Sequence, residues 1–532
     1  MSHTTHPIGH PINRPLGRRS ALTLAAGAAA IPSLSRAQTT RSADRTLRFV
    51  PYANLVVMDP VWAISIIGLE HAYMTCDQLY GLDDTFTARP QMAAGHEVSA
   101  DGLRWRFTLR DGLVFHDGEK VRSIDCTTSI DRWSKVDPFG KRLAARLDEM
   151  TVVDDKTFEI RLKRPYAHLL YGLGGTTCFI RPERLAKTPH TTQITDATGS
   201  GPFRFLPDEF VTGARAAYAR HDAYVPRQEK PVMWSGGKMA YFDRVEWHFI
   251  SDAATAAAAL RTGEIDWIER PLLDLVPSLK KTQGITVERV DPMGFFSILW
   301  LNNTSPPFDN PRLRRALFPA LNQDDYMAAV VGDQPDLLRT GMGMFTPGSP
   351  FASAAGMEAI TGKRDVALAR KLVAESGYKG EKVVLMVPDL PESTAMAEVT
   401  RAMFLEVGLN VDYQKMDWGT LSARQRSTDP AVRAAWQCYC IGWAGLWPAI
   451  PGSNIPIGGV KPNPAMEALR DQWFDAAGLA DQKRIAEQMQ LAAFEDPPFI
   501  PLGQYFVPYA YRTGLSGFVP APITALWNVR HG

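Results

Sequence analysis

Twice along this chain a short apolar strand runs into a helix that a glycine stops, and a second strand follows. In the first pass Val245 to Ile250 precedes a helix over Asp252 to Thr262, Gly263 ends it, and Ile265 to Ile268 is extended again. In the second, Lys382 to Val387 precedes a helix over Ser393 to Glu406, Gly408 ends it, and Leu409 to Gln414 follows. Glycine closes helices because it enters the left-handed conformation without a Cβ penalty. Strand–helix–strand order implies a crossover connection, hence parallel pairing and an α/β lobe. Two such blocks far apart in the chain predict two lobes. At 532 residues and roughly 150 residues per domain, there is room for about three.

Other segments frame these blocks. Thr46 to Pro51 opens with a short strand, and a helical stretch leads to Cys76 and a stop at Gly81. Leu103 to Leu109 alternates apolar and polar residues between the turn pairs Asp101-Gly102 and Asp111-Gly112, and Thr157 to Leu162 alternates again. These read as antiparallel strands with one face in water. Helices are predicted over Ile124 to Lys135, Asn310 to Leu321, Arg364 to Ser376 and Asp481 to Phe494. Phe296 to Leu301 reads as a buried strand and Phe499 to Tyr511 as extended chain.

The composition excludes some functions. A net charge of +1 lacks the basic excess of a nucleic-acid binder. Gly17-Arg18-Arg19-Ser20, the apolar run Ala21 to Ile31 and the small-residue site Ser35-Arg36-Ala37 read as a twin-arginine export signal. That run is too short to span a bilayer. Removing residues 1–37, which hold four arginines and no acids, leaves 54 basic against 57 acidic residues. His3, His6 and His10 fall in the discarded segment. The expectation is an exported, soluble, periplasmic protein. No Cys follows the apolar run before Cys76, so a lipid anchor is not expected. Cys76, Cys126, Cys178, Cys438 and Cys440 match no zinc spacing and read as buried thiols with at most one or two disulfides.

From Ser99 to Glu119 the sequence SADGLRWRFTLRDGLVFHDGE resembles the signature of the peptide- and nickel-type solute-binding proteins of ABC importers, solute-binding protein family 5. Gly199 to Phe205 (GSGPFRF), Leu260 to Asp266 (LRTGEID), Asn303 to Leu321 and Lys363 to Tyr378 resemble further family blocks in the same order. The resemblance implies an α/β, two-lobed periplasmic-binding-protein fold of the large type II, cluster-C-like kind, with a small inserted lobe and a two-strand hinge. Lobe I would comprise 38–75, 197–295 and 490–532, the inserted lobe 76–196, and lobe II 296–489. The crossings near Asp291 to Leu301 and Pro497 to Tyr505 would form the hinge. Within the signature, His116 and Asp117 would be scaffold.

The resemblance also places a ligand between the lobes. Tyr52, Ala53 and Asn54 would stand on one side and Tyr439 to Trp447 on the other, with Gly442 admitting the ligand and Trp443 and Trp447 walling it. Asp417, Trp418, Phe295 and Tyr505 would also face the cleft. Peptide binders of this kind often carry an acid just after Gly-Trp; here Ala444 to Pro448 contains none. Where the dipeptide binders place a carboxylate-binding Arg, this chain reads Pro388-Asp389-Leu390-Pro391-Glu392. A buried ammonium without a partner is costly, so the expected ligand is not a standard dipeptide, and Asp389 or Asp417 would meet a cationic or hydroxyl group.

The chain has no G-x-S-x-G, H-E-x-x-H or phosphate-loop pattern, so no enzyme and no cofactor or metal is expected. The expected partners are a peptide or other small solute and the inner-membrane permease subunits of an ABC importer, met by a monomer; no nucleic acid is expected. The alternatives are a nickel- or haem-carrying member of the family, for which Met293, Met342 and Met344 are the candidate ligands, an exported hydrolase, and a chaperone-like or signalling binder.

Overall fold

Strand Thr46–Val50 runs parallel to Arg244–His248 on one side and to Trp267–Ile268 on the other. The predicted strand–helix–strand unit is therefore split: its two strands are separated by one from the start of the domain. Helix Ala253–Thr262 makes the crossover. The Asp252 side chain caps it by accepting from the Thr255 N–H at 2.7 Å, and Gly263 ends it at φ 80°. The computed structural model describes residues 45–62, 65–175, 177–452 and 461–532. The export signal read in residues 1–37 lies outside them.

The first sheet has seven strands, in the order Phe203–Phe205, Arg215–Arg220, Arg244–His248, Thr46–Val50, Trp267–Ile268, Tyr509–Arg512 and Ile285–Glu288. The second has six: Leu338–Arg339, Phe499–Tyr505, Phe295–Leu301, Cys438–Ala444, Lys382–Pro388 and Asn410–Met416. Lys382–Pro388 and Asn410–Met416 pair in parallel, as predicted, joined by helix Pro391–Glu406 with proline in its first turn. Phe295–Leu301 is antiparallel to both neighbours and buried from Phe296 onward. A third sheet of four antiparallel strands holds Ala93–Val98, Arg104–Leu109, Thr157–Leu162 and Leu147–Val152.

Two predicted segments change form. The helix expected over Asn310 to Leu321 is helical only over Pro311–Ala316, followed by a tighter turn over Phe318–Ala320. Pro319 has no N–H to continue the helical ladder. The extended run Phe499 to Tyr511 is two strands in two different sheets. The chain thus returns to the first sheet at Tyr509. The links between the two sheets are residues 289–294 and 506–508, shorter than the predicted crossings, whose ends are strand. They touch: Gly294 has φ 48°, and a Cβ there would lie 2.5 Å from the Phe506 ring.

His116 is scaffold. Its backbone N–H donates to the Gly199 carbonyl at 2.8 Å, and its Nε2 lies 3.1 Å from the Gly201 carbonyl. Its Nδ1 accepts from the Gly199 N–H at 3.3 Å. One imidazole thus staples the turn bridged by Val114 and Lys120 to the GSGPF turn. All five cysteines are buried and free.

Candidate functional site

In parallel sheets, ligand-handling residues collect where the strands end at their carboxyl edges. In the first sheet Val50 pairs with Ile268, so the next residues, Tyr52 and Glu269-Arg270, emerge together. The Tyr52 N–H donates to Glu269 Oε2 at 2.8 Å, and the Tyr52 hydroxyl accepts from the Ile67 N–H at 3.3 Å. Glu269 is fully buried and also accepts from the Thr524 hydroxyl at 2.9 Å. Glu70, equally buried, lies against it with neither oxygen hydrogen-bonded to a donor side chain or backbone group. Two ionised carboxylates have only acceptors to offer each other, so one must hold a proton. Burial, then the charge of Glu269, pushes the Glu70 carboxyl well above the ordinary range.

Arg270 stands in front of this pair. Its Nη2 is 3.4 Å from Glu269 Oε1, and its side chain is 16% exposed. The guanidinium lies over two rings, 4.0 Å from the centroid of Tyr52 and 4.8 Å from that of Phe295. Burial works against its charge, but Glu269, Tyr52, Glu70 and Asp291 together hold its pKa above the usual value.

The second sheet supplies the other side. Phe295 pairs with both Ala444 and Tyr505, and its ring stacks on Tyr505 with centroids 5.0 Å apart and planes 14° from parallel. A Cβ at Gly442 would lie 2.5 Å from the Tyr505 hydroxyl, so this glycine makes room for Tyr505. Pro388 pairs with Met416, which sets Asp389 beside Asp417 at the same edge. Glu392 follows in the first turn of helix Pro391–Glu406. Burial raises its pKa and the charge of Arg270 lowers it, while Tyr505 in turn feels the charge of Glu392. Tyr52, Arg270, Phe295, Tyr505 and Glu392 therefore form one neighbourhood drawn from both sheets.

The remaining predicted site residues divide. Trp418 is 43% exposed, and Asp389 and Asn54 are exposed. Trp447 is half-buried in the turn Trp447–Ala449. Asp417 caps helix Trp418–Arg426: Oδ1 accepts from the Thr420 N–H at 2.9 Å and Oδ2 from its hydroxyl at 2.6 Å. Both oxygens are thus occupied. Tyr439 is not at this edge. It sits at the far end of its strand, buried, paired and stacked with Trp300. Trp443 shares that face, 5.0 Å from Trp300, on the side of the sheet opposite Gly442 and Tyr505. The cavity beside it, lined by Met344, Phe345, Met466 and Phe499 among others, holds about 50 Å³, room for a few waters. Met293, Met342 and Met344 are buried core residues. Among the described residues no cluster of three His, Cys, Asp or Glu is placed to hold a metal.

Sequence reasoning missed Arg270 and Glu392. Both had a signal: Arg270 comes two residues after the strand that ends at Ile268, and Glu392 follows a proline at a helix start.

The profile of the bacterial extracellular solute-binding proteins, family 5 Middle, matches residues 87–456. A relative from Sinorhizobium fredii, named "Probable peptide ABC transporter periplasmic-binding protein", is 35% identical over 519 residues, covering 95% of this chain and 97% of its own length. The structure resembles the dipeptide-binding protein of a Pseudoalteromonas species in complex with Met-Leu, with TM-score 0.76 at 18% identity, covering 92% of this chain and all of that one. It also resembles the periplasmic binding protein DppA of Helicobacter pylori in complex with the peptide STSA, with TM-score 0.73 at 20% identity, covering 91% and 98%. Both likenesses support the two-lobed α/β fold. On the profile match and the coverage of the 35% identical relative, the chain belongs to family 5 of the bacterial extracellular solute-binding proteins.

Proposed function

We propose that this protein is the periplasmic solute-binding component of an ABC importer, which takes up a peptide or peptide-like solute between two lobes and hands it unchanged to an inner-membrane permease. The observation that carries this reading is the meeting of Tyr52 and Arg270, from the first sheet, with Phe295 and Tyr505, from the second, where the links between the sheets cross. A few polar groups set in aromatic walls are what fixes the orientation of a small ligand. The first sheet would be the core of lobe I, the second that of lobe II, and the four-stranded sheet that of the inserted lobe. Residues 289–294 and 506–508 would be the hinge about which the lobes close. Tyr52, Phe295, Tyr505, Trp418 and Trp447 would line the cleft, with Asp389 at its rim. Asp417 contributes by holding its helix. The peptide-named relative and the peptide-bound neighbours support the ligand class.

The test combines calorimetric titration of a mixed tripeptide and tetrapeptide pool with small-angle scattering. Binding accompanied by a smaller radius of gyration, with the peptides recovered intact, is the expected result. Turnover of the peptides, or lobes that never reorient, would exclude the reading.

A further inference from the structure

We propose that Arg270 is the anchor for an anionic group of the ligand, a carboxylate above all, and that it sets the specificity of the cleft. This rests on the peptide-like reading given above and names the chemistry that reading leaves open. A guanidinium carries five N–H donors in a planar fork. Among the described residues Arg270 makes no hydrogen bond, and its closest anion is Glu269 at 3.4 Å. Only 16% of the side chain is exposed, yet none of its nitrogens is cut off from the outside. A guanidinium held between two rings with its donors unpaired and reachable suits a site completed by something from outside the chain.

The surroundings favour an oxyanion. The rings of Tyr52 and Phe295 both present their faces to the guanidinium. Acceptors must then approach in its plane, the geometry in which a carboxylate forms two parallel bonds. Glu269 is tied down by the Tyr52 N–H and the Thr524 hydroxyl, and it holds the guanidinium from behind. Glu269 comes nearest the guanidinium at Nη2 and makes no hydrogen bond with it. Across the gap Glu392 makes no ion pair among the described residues, which leaves more than salt-bridge distance between it and Arg270. The segment from Pro388 to Glu392 offers no base, so the anion-binding group in this cleft comes from the lobe opposite that segment.

The experiment compares free-acid and C-terminally amidated forms of Met-Leu, of Ser-Thr-Ser-Ala and of a mixed tetrapeptide pool by titration calorimetry. The proteins are wild type, Arg270→Gln and Arg270→Lys, each with its melting temperature recorded. In the wild type the free acids bind roughly tenfold or more tightly than the amides. Arg270→Gln abolishes the difference. Arg270→Lys, which keeps the charge without the fork, retains part of it and decides the matter if Arg270→Gln is unfolded. Equal binding of acid and amide by the wild type, or discrimination surviving in Arg270→Gln, overturns the anchor and leaves peptide capture standing. If no peptide binds, the peptide reading fails, and mass spectrometry of solutes co-purifying with the protein decides the anchor. Carboxylates or other oxyanions held by the wild type and lost from Arg270→Gln support it; uncharged or cationic solutes, or no solute at all, overturn it.

Discussion

Tyr505 stacks on Phe295 across two hydrogen-bonded strands, and it does so in space that Gly442, on the third strand, leaves empty. Three strands thus fix one aromatic pair at the edge where the second sheet meets the first. Gly442→Ala puts a methyl group 2.5 Å from the Tyr505 hydroxyl, and Tyr505 must shift off Phe295. The expected cost is about 1–3 kcal/mol, read as a lower midpoint in urea, with a loss of ligand affinity in the same variant. Unchanged affinity would remove this pair from the cleft.

Arg132 grips Asp59 with both terminal nitrogens, at 3.0 and 2.6 Å, and both side chains are almost wholly buried. Asp59 also accepts from the Ile194 N–H at 2.9 Å. The pair ties the loop after the first strand to helix Ser123–Ser134 and to the segment around Ile194. Removing one partner strands the other charge, so Asp59→Ala is expected to cost about 3–5 kcal/mol in chemical denaturation.

Glu70 gives a pH dependence of definite sign. Below its ordinary pKa of 4.5 the folded and unfolded states both hold the proton, and there is no penalty. Above it the unfolded chain releases a proton that the folded one keeps, so stability falls as pH rises. Glu70→Gln supplies a permanent donor to Glu269 and removes this slope. The variant should be the more stable at pH 8, where the wild type keeps a proton its unfolded chain has released, and no better than wild type at pH 4. Thermal melts across that range check it.

Buried histidines tilt the other way. Burial pulls His71 down to about 3 and His168 to about 4. Above the ordinary value of 6.5 neither is charged in either state. Below it the unfolded chain takes up protons that the folded one refuses, so stability falls with pH toward those lower values. Each contributes a loss of roughly 2 kcal/mol by pH 5. His168→Gln should flatten the decline between pH 6.5 and 4.5, where the Glu70 slope opposes it; the double variant separates the two.

The thiols should be inert. All five are buried and free, and burial raises the pKa of Cys126, Cys178, Cys438 and Cys440. A thiol reagent should therefore label none of the five in the native protein and all five in denaturant. Fast labelling of the native form would contradict the packing around them.

What the sequence by itself determined is local. Alternation marked Arg104–Leu109 and Thr157–Leu162 as half-exposed strands, and Asp252 with Gly263 bounded a helix, because side-chain periodicity and glycine conformation act over a few residues. The likeness of Ser99 to Glu119 and of further ordered blocks to solute-binding protein family 5 pointed to the family. Which strands became neighbours was decided only by the tertiary structure. Thr46–Val50 entered between Arg244–His248 and Trp267–Ile268, and one extended run was shared between two sheets. Sheet pairing is long-range and leaves no periodic trace in the chain. The family resemblance put Tyr439 and Trp443 at the cleft, but the register of their strand sets both on the face opposite Gly442 and Tyr505. Arg270 and Glu392 gained their meaning from a meeting across two sheets, which no spacing along the chain encodes.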